Sequence, residues 1–106
     1  MRYAVQSQMF KMLAHPIRLR VLHALRKGEL SVGELCDKLD VEQTSMSQHL
    51  SVLRANGFVV ADRRGASVYY SIADAVVHDL LACAEHASKA RGAAARSMLR
   101  IVRREA

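Results

Sequence analysis

The sequence predicts a mainly α-helical domain carrying one small β-hairpin, an α+β fold with elements in the order α-α-α-α-β-β-α. Changes of rhythm along the chain carry that prediction. Apolar residues recur at helical spacing over successive stretches before Gly57, alternate singly between Phe58 and Ile72, and return to helical spacing from about Asp74. There is only 1 proline, and 106 residues suffice for one buried core but not two.

Residues 3–14 form the first predicted helix, with Val5, Met9, Met12 and Leu13 at helical spacing. His15 then precedes Pro16, a pairing that disfavours helix at the histidine and suits the first turn of a new one. The second helix, about 16–27, turns Ile17, Val21, Leu22 and Leu25 to one side, leaves Arg18, Arg20, Arg26 and Lys27 in solvent, and stops at Gly28. Ser31 with Glu34 makes a capping box, opening a short third helix whose Val32, Leu35 and Leu39 point inward. After a turn at Asp40, Val41 and Glu42, a fourth helix runs from about Gln43 to Asn56, with Met46, Leu50 and Leu53 inward and Gly57 as its left-handed stop. Two short helices joined by such a turn make a helix-turn-helix. Two strands, carrying Phe58 and Val60 and then Val68, Tyr70 and Ile72, flank the segment from Asp62 to Ser67, so the predicted hairpin has Arg63 and Arg64 at its tip. The last helix repeats Val76, Leu80, Cys83, Ala87, Ala90 and Ala94 every three or four residues, a small apolar stripe suited to a partner helix.

Sixteen Lys and Arg against 10 Asp and Glu give a net charge of +6, so the surface attracts polyanions, nucleic acid first among them. No apolar run approaches the roughly 20 residues of a membrane span, and the first thirteen residues lack a continuous apolar run before a small-residue cleavage site; the expectation is a cytoplasmic protein. In that reducing compartment the 2 cysteines, Cys36 and Cys83, stay thiols. An enzyme fits poorly: there is no glycine-rich phosphate loop, no nucleophile elbow and no H-E-x-x-H, and the 5 histidines are scattered.

With Met46, Leu50 and Leu53 turned inward, the fourth helix presents Gln43, Thr44, Ser45, Ser47, Gln48 and Arg54 outward. Glutamine pairs with adenine edges, and serine and threonine reach base edges or phosphates, so this face suits a DNA groove. Arg63 and Arg64 on the hairpin suit phosphates or the minor groove. His49 faces back toward the scaffold. A protein-interaction module that keeps this scaffold without binding DNA is the competing reading, and the polar helix face and the two arginines weigh against it.

The runs LAHPIRLRVLHAL, SVGELCDKL, SMSQHLSVLRANGFV and RRGASVYYSI, in this order over about residues 8–75, resemble the ArsR/SmtB family of bacterial repressors. The resemblance implies a winged helix-turn-helix homodimer held by its first and last helices, here through Val5, Met9, Met12, Val76, Leu80, Cys83 and Ala87. It implies sequence-specific binding to double-stranded operator DNA and release by an inducer: a metal ion, a metalloid or a reactive sulfur species. The C-x-C pair of the arsenic-type sensors is Ser31 and Gly33 here, leaving Cys36 alone. The first histidine of the zinc-type D-x-H is replaced at Val76, although His78, Asp79, Glu85 and His86 follow on the same helix. Asp79 and His86 lie two turns apart, about 10.5 Å, so a divalent ion such as zinc or nickel would need donors from an antiparallel second chain. Sulfur-sensing relatives pair a cysteine on the second helix with one on the last; here the second helix has His23. Cys36 and Cys83 can pair only if their Cα atoms come within about 7 Å.

Residues 1–92 are thus expected to form the DNA-binding and dimerisation domain, and 93–106 a basic C-terminal extension. In that extension Arg96, Arg100, Arg103 and Arg104 fall on one side of a helix and Leu99 and Val102 on the other, with Gly92 permitting a bend.

Overall fold

The computed structural model describes residues 1–105, without the side chains of residues 93, 95 and 103–105. Its elements are α1 (Arg2–Leu13), α2 (Pro16–Leu25), β1 (Leu30–Ser31), α3 (Val32–Leu39), α4 (Gln43–Ala55), β2 (Val59–Arg64), β3 (Ser67–Ile72) and α5 (Ala75–Glu105). The expected order holds with one addition, the two-residue β1. Leu30 and Ser31 pair with Tyr70 and Tyr69, making a three-stranded antiparallel sheet in the order β1-β3-β2. Two residues carry no readable alternation, which is why the pattern alone did not reveal this strand.

Helix boundaries follow local chemistry. Pro16 opens α2 behind His15, whose Nδ1 accepts the Ile17 N–H at 3.2 Å. The capping box forms as expected: the Ser31 hydroxyl accepts from Glu34 N at 3.1 Å and the Glu34 carboxylate accepts from Ser31 N at 3.0 Å. The α3–α4 turn is made by Asp40 in a left-handed conformation, with its own N–H and that of Val41 both donating to the Cys36 carbonyl. Gly57, at φ 78°, closes α4, and Phe58 N donates back to Leu53 O at 2.9 Å, so the chain leaves the helix directly into the sheet.

The core joins α2, α3, α4, the start of the sheet and one flank of α5. Val21, Leu22, Leu25, Leu35, Met46, Leu50, Leu53 and Val59 are fully enclosed, with Phe58 and Leu39 beside them. The last helix buries an edge beside the predicted partner-facing stripe, which itself stays largely free. Val77 and Leu81 enter the chain's own core, whereas Val76 is 72% exposed, Cys83 is exposed and Leu80 is half-buried against the core. Adjacent apolar positions make the stripe wider than one seam, so one edge packs inward and the other stays free.

α1 contributes little to that core. Of its twelve residues only Leu13 is buried, with Met12 partly packed, while Tyr3, Val5, Met9 and Phe10 are exposed. At Gly92 the backbone of α5 leaves helical geometry (φ 46°, ψ −116°), and beyond it Met98, Leu99, Ile101 and Val102 lie exposed. The expected basic face of the extension includes Arg103 and Arg104, whose side chains lie outside the described residues; Arg96 and Arg100 are exposed. Among the described residues no helix is long and apolar enough to cross a membrane.

Candidate nucleic-acid interface

Burial of Met46, Leu50 and Leu53 fixes the roll of α4 and thereby its outer face. Gln43, Thr44, Ser47, Gln48, Ser51 and Val52 line an open trough of about 700 Å³ along that face. Ser51 and Val52 were not expected there, although Ser51 follows Ser47 by one helical turn and was legible from spacing. Ser45 was expected on this face but is half-buried and does not line the trough; it lies one turn before His49, on the flank turned toward the scaffold. Arg54 is exposed on the last turn of α4.

The two wing arginines part company. The strands extend to Arg64 and resume at Ser67, so the tip is the pair Gly65 and Ala66, and both arginines belong to β2 rather than to a loop. Successive residues of a strand point to opposite faces. Arg63 reaches a cleft of about 340 Å³ whose walls include Ser31, Gly33 and Gln43, so the hairpin, the capped α3 and α4 converge there. Arg64, on the other face, is held by its own chain. Its guanidinium donates to both oxygens of Glu29, at 2.8 Å for Nη2 to Oε2, and through Nε to Asp62 at 2.9 Å, and it lies 4.8 Å from the Tyr69 ring centroid. These bonds, first to Glu29 and then to Asp62, raise its pKa further. The sequence placed both arginines at the hairpin without distinguishing them; in the structure Arg64 already has partners in its own chain. Glu29 was the unread partner, because it lies 35 residues away in sequence.

Arg18 departs from the sequence reading as well. Rather than standing in solvent, it is half-buried, with Nε donating to His49 Nδ1 at 3.2 Å and Nη1 donating to the Met12 carbonyl at 3.0 Å. The ring centroids of His49 and His15 are 4.4 Å apart. His49 is held below the ordinary imidazole value of 6.5, by burial first and then by the neighbouring His15 and Arg18.

A second surface lies at the junction of α1, α2 and α5, where Phe10, Leu13, Ala14, Leu19, Leu80, Leu81 and Ala84 line an almost wholly apolar groove of about 330 Å³. Val5 and Met9 stand exposed on α1, and Val76 on α5.

A helix-turn-helix domain model matches residues 13–60. The HTH-type transcriptional regulator Rv0081 of Mycobacterium tuberculosis is 43% identical over 83 residues, which span 77% of this chain and 73% of that protein. Its crystal structure superposes with a TM-score of 0.80, covering 90% of this chain and 95% of that one. The repressor SmtB of the same species is 37% identical over 84 residues, 78% of this chain and 62% of the relative. The chain belongs to the ArsR/SmtB family. A further member of this fold, the homodimeric winged helix-turn-helix DNA-binding domain Mb0332 of Mycobacterium bovis, has a TM-score of 0.78 at 28% identity and covers 86% of this chain. In the terms of the ArsR/SmtB family, α3 and α4 are the helix-turn-helix, β2 and β3 the wing, and the chain is a transcriptional regulator.

The residues proposed from sequence for an inducer are dispersed. His78, Asp79, Glu85 and His86 are all exposed on α5, and among the described residues no three His, Cys, Asp or Glu side chains gather as a metal-ion donor set. One chain therefore does not fit a zinc or nickel ion by itself, and no step is derived through one. Cys36 is half-buried against the core on α3, Cys83 is exposed on α5, and both are free thiols.

Proposed function

We propose that this ArsR/SmtB regulator is a homodimeric repressor that reads operator DNA with α4 and grips the flanking phosphates with the wing. The observation that carries the reading is the convergence of two features fixed by the core: the polar trough of Gln43, Thr44, Ser47, Gln48 and Ser51, and Arg63 directed into the adjoining cleft beside Gln43. In this reading Gln48 and Thr44 meet base edges, Ser47 and Ser51 meet bases or phosphates, and Arg54 and Arg63 meet the backbone. Ser45 and Arg64 support the helix and the wing from behind.

Dimerisation is supported by the energetics of α1. A helix of twelve residues is marginal in water by itself, and this one buries only Leu13 in its own chain while exposing Tyr3, Val5, Met9 and Phe10. A second copy covering α1 and the free edge of α5, with Val5, Met9, Met12, Val76, Leu80, Cys83 and Ala87 in or beside the seam, supplies the missing burial. Two-fold pairing would place two copies of α4 about 34 Å apart, one turn of duplex. The exposed donors of α5 would meet a divalent ion only across that seam.

The test is a gel-shift and sedimentation experiment on the whole chain with duplexes covering the promoter of its own operon. The reading requires one dimer on a two-fold symmetric site and competition by specific duplex far exceeding that by random duplex. A monomer at micromolar concentration, or equal affinity for both duplexes, would overturn it.

A further inference from the structure

We propose that Arg18 and His49 are positioning residues for the recognition helix, and that the hydrogen bond between them makes operator binding sensitive to acid. The inference rests on the DNA-reading role proposed for α4, and part of its test does not use DNA.

Arg18 is the strut between two elements that must keep a fixed relation in a dimer. One arm of its guanidinium ends on the Met12 carbonyl, in the last turn of α1, and the other on His49 of α4. A guanidinium is only a donor, so His49 Nδ1 must offer a lone pair and the ring proton must sit on Nε2. The same holds for His15, whose Nδ1 accepts the first N–H of α2 from Ile17. The two imidazoles, 4.4 Å between centroids, thus both use Nδ1 as an acceptor.

Protonation of His49 adds a hydrogen at its Nδ1. It turns the Arg18–His49 hydrogen bond into a contact between two donors and places a new positive charge beside Arg18 and His15. The groups acting on His49 are His15 at the head of α2 and Arg18 within it, while α1 contributes only the neutral Met12 carbonyl. Among the described residues no carboxylate pairs or hydrogen-bonds with any of the three. The depressed titration of His49 agrees with this geometry. Because the folded protein holds this proton less tightly than the unfolded chain, the contribution is complete above the ordinary value of 6.5 and is lost as pH falls through and below it. α4 then loses its tie to α1, and the spacing of the two recognition helices loosens.

A specific site depends on that spacing, whereas random duplex binds through phosphates wherever they lie, so acid should weaken the first and spare the second. The experiment follows binding of the homodimer to two labelled duplexes between about pH 8 and about pH 5.5. One is selected by the protein itself from a random library at the higher pH, and the other is a scrambled duplex of the same composition. The wild type should lose about tenfold on the selected duplex, the scale of one charge-assisted hydrogen bond, while the scrambled duplex binds equally tightly. H49L should show that loss already at the higher pH. H49N, whose amide oxygen occupies the Nδ1 position and does not titrate, should restore specific affinity and flatten the profile. Imidazole nitrogen NMR on the wild type without DNA should show His49 as the Nε2–H tautomer, titrating below 6.5.

An Nδ1–H tautomer, titration at or above the ordinary value, or an H49N profile as steep as the wild type would each overturn the proposal. Failure to select any duplex would instead overturn the DNA-reading role, and the NMR titration would still decide the state of the histidines.

Discussion

Replacing Arg63 by alanine separates phosphate contact from wing architecture. Each Lys or Arg that neutralises a phosphate of B-DNA contributes about 0.9 to the slope of log affinity against log salt. Arg63 makes no ion pair or side-chain hydrogen bond among the described residues, so both copies in a dimer are available and R63A should flatten the slope by about 1.8. Between about 50 and 200 mM salt that difference amounts to about twelvefold in affinity. Arg64 sits between Glu29 and Asp62, which already neutralise it. R64A should change the slope by less than half as much as R63A, while weakening the wing by releasing Glu29 and Tyr69. Fluorescence anisotropy of a labelled duplex across a salt series reads both variants. An unchanged slope for R63A, or equal slopes lost by R63A and R64A, would refute the assignment of the two strand faces.

Q48A should weaken the selected duplex by about tenfold or more, the scale of one bidentate base contact, and scrambled duplex by less than twofold, as competition binding would show. V5E and V76E place charges on side chains that are 56% and 72% exposed in the single chain, so they leave its core intact and should still yield monomers in sedimentation. Persistent dimers in both would remove these helices from the interface. S31A should cost about 1 kcal/mol by opening the capping box and lower Tm by about 5 °C at fixed protein concentration, with an unchanged Tm showing that the cap carries no stability.

The sequence by itself determined the local structure and most of the reading face. His15 and Pro16 begin α2, Ser31 and Glu34 begin α3, and Gly57 ends α4, because capping and left-handed stops depend on residues a few positions apart. The spacing of Met46, Leu50 and Leu53 likewise set which side of α4 is buried, and so which residues remain for DNA. Tertiary structure decided the rest. Nothing local told Arg63 from Arg64, since their difference lies in strand parity and in Glu29, a partner distant along the chain. The last helix carries two adjacent apolar edges, and only the fold selected Val77 and Leu81 over Val76 and Cys83 for the shared core. Arg18 read as solvated because positive charge usually is, yet the fold carried His49 and the Met12 carbonyl to it. Periodicity records which side of an element avoids water; which polar group meets another is decided only when distant elements are brought together.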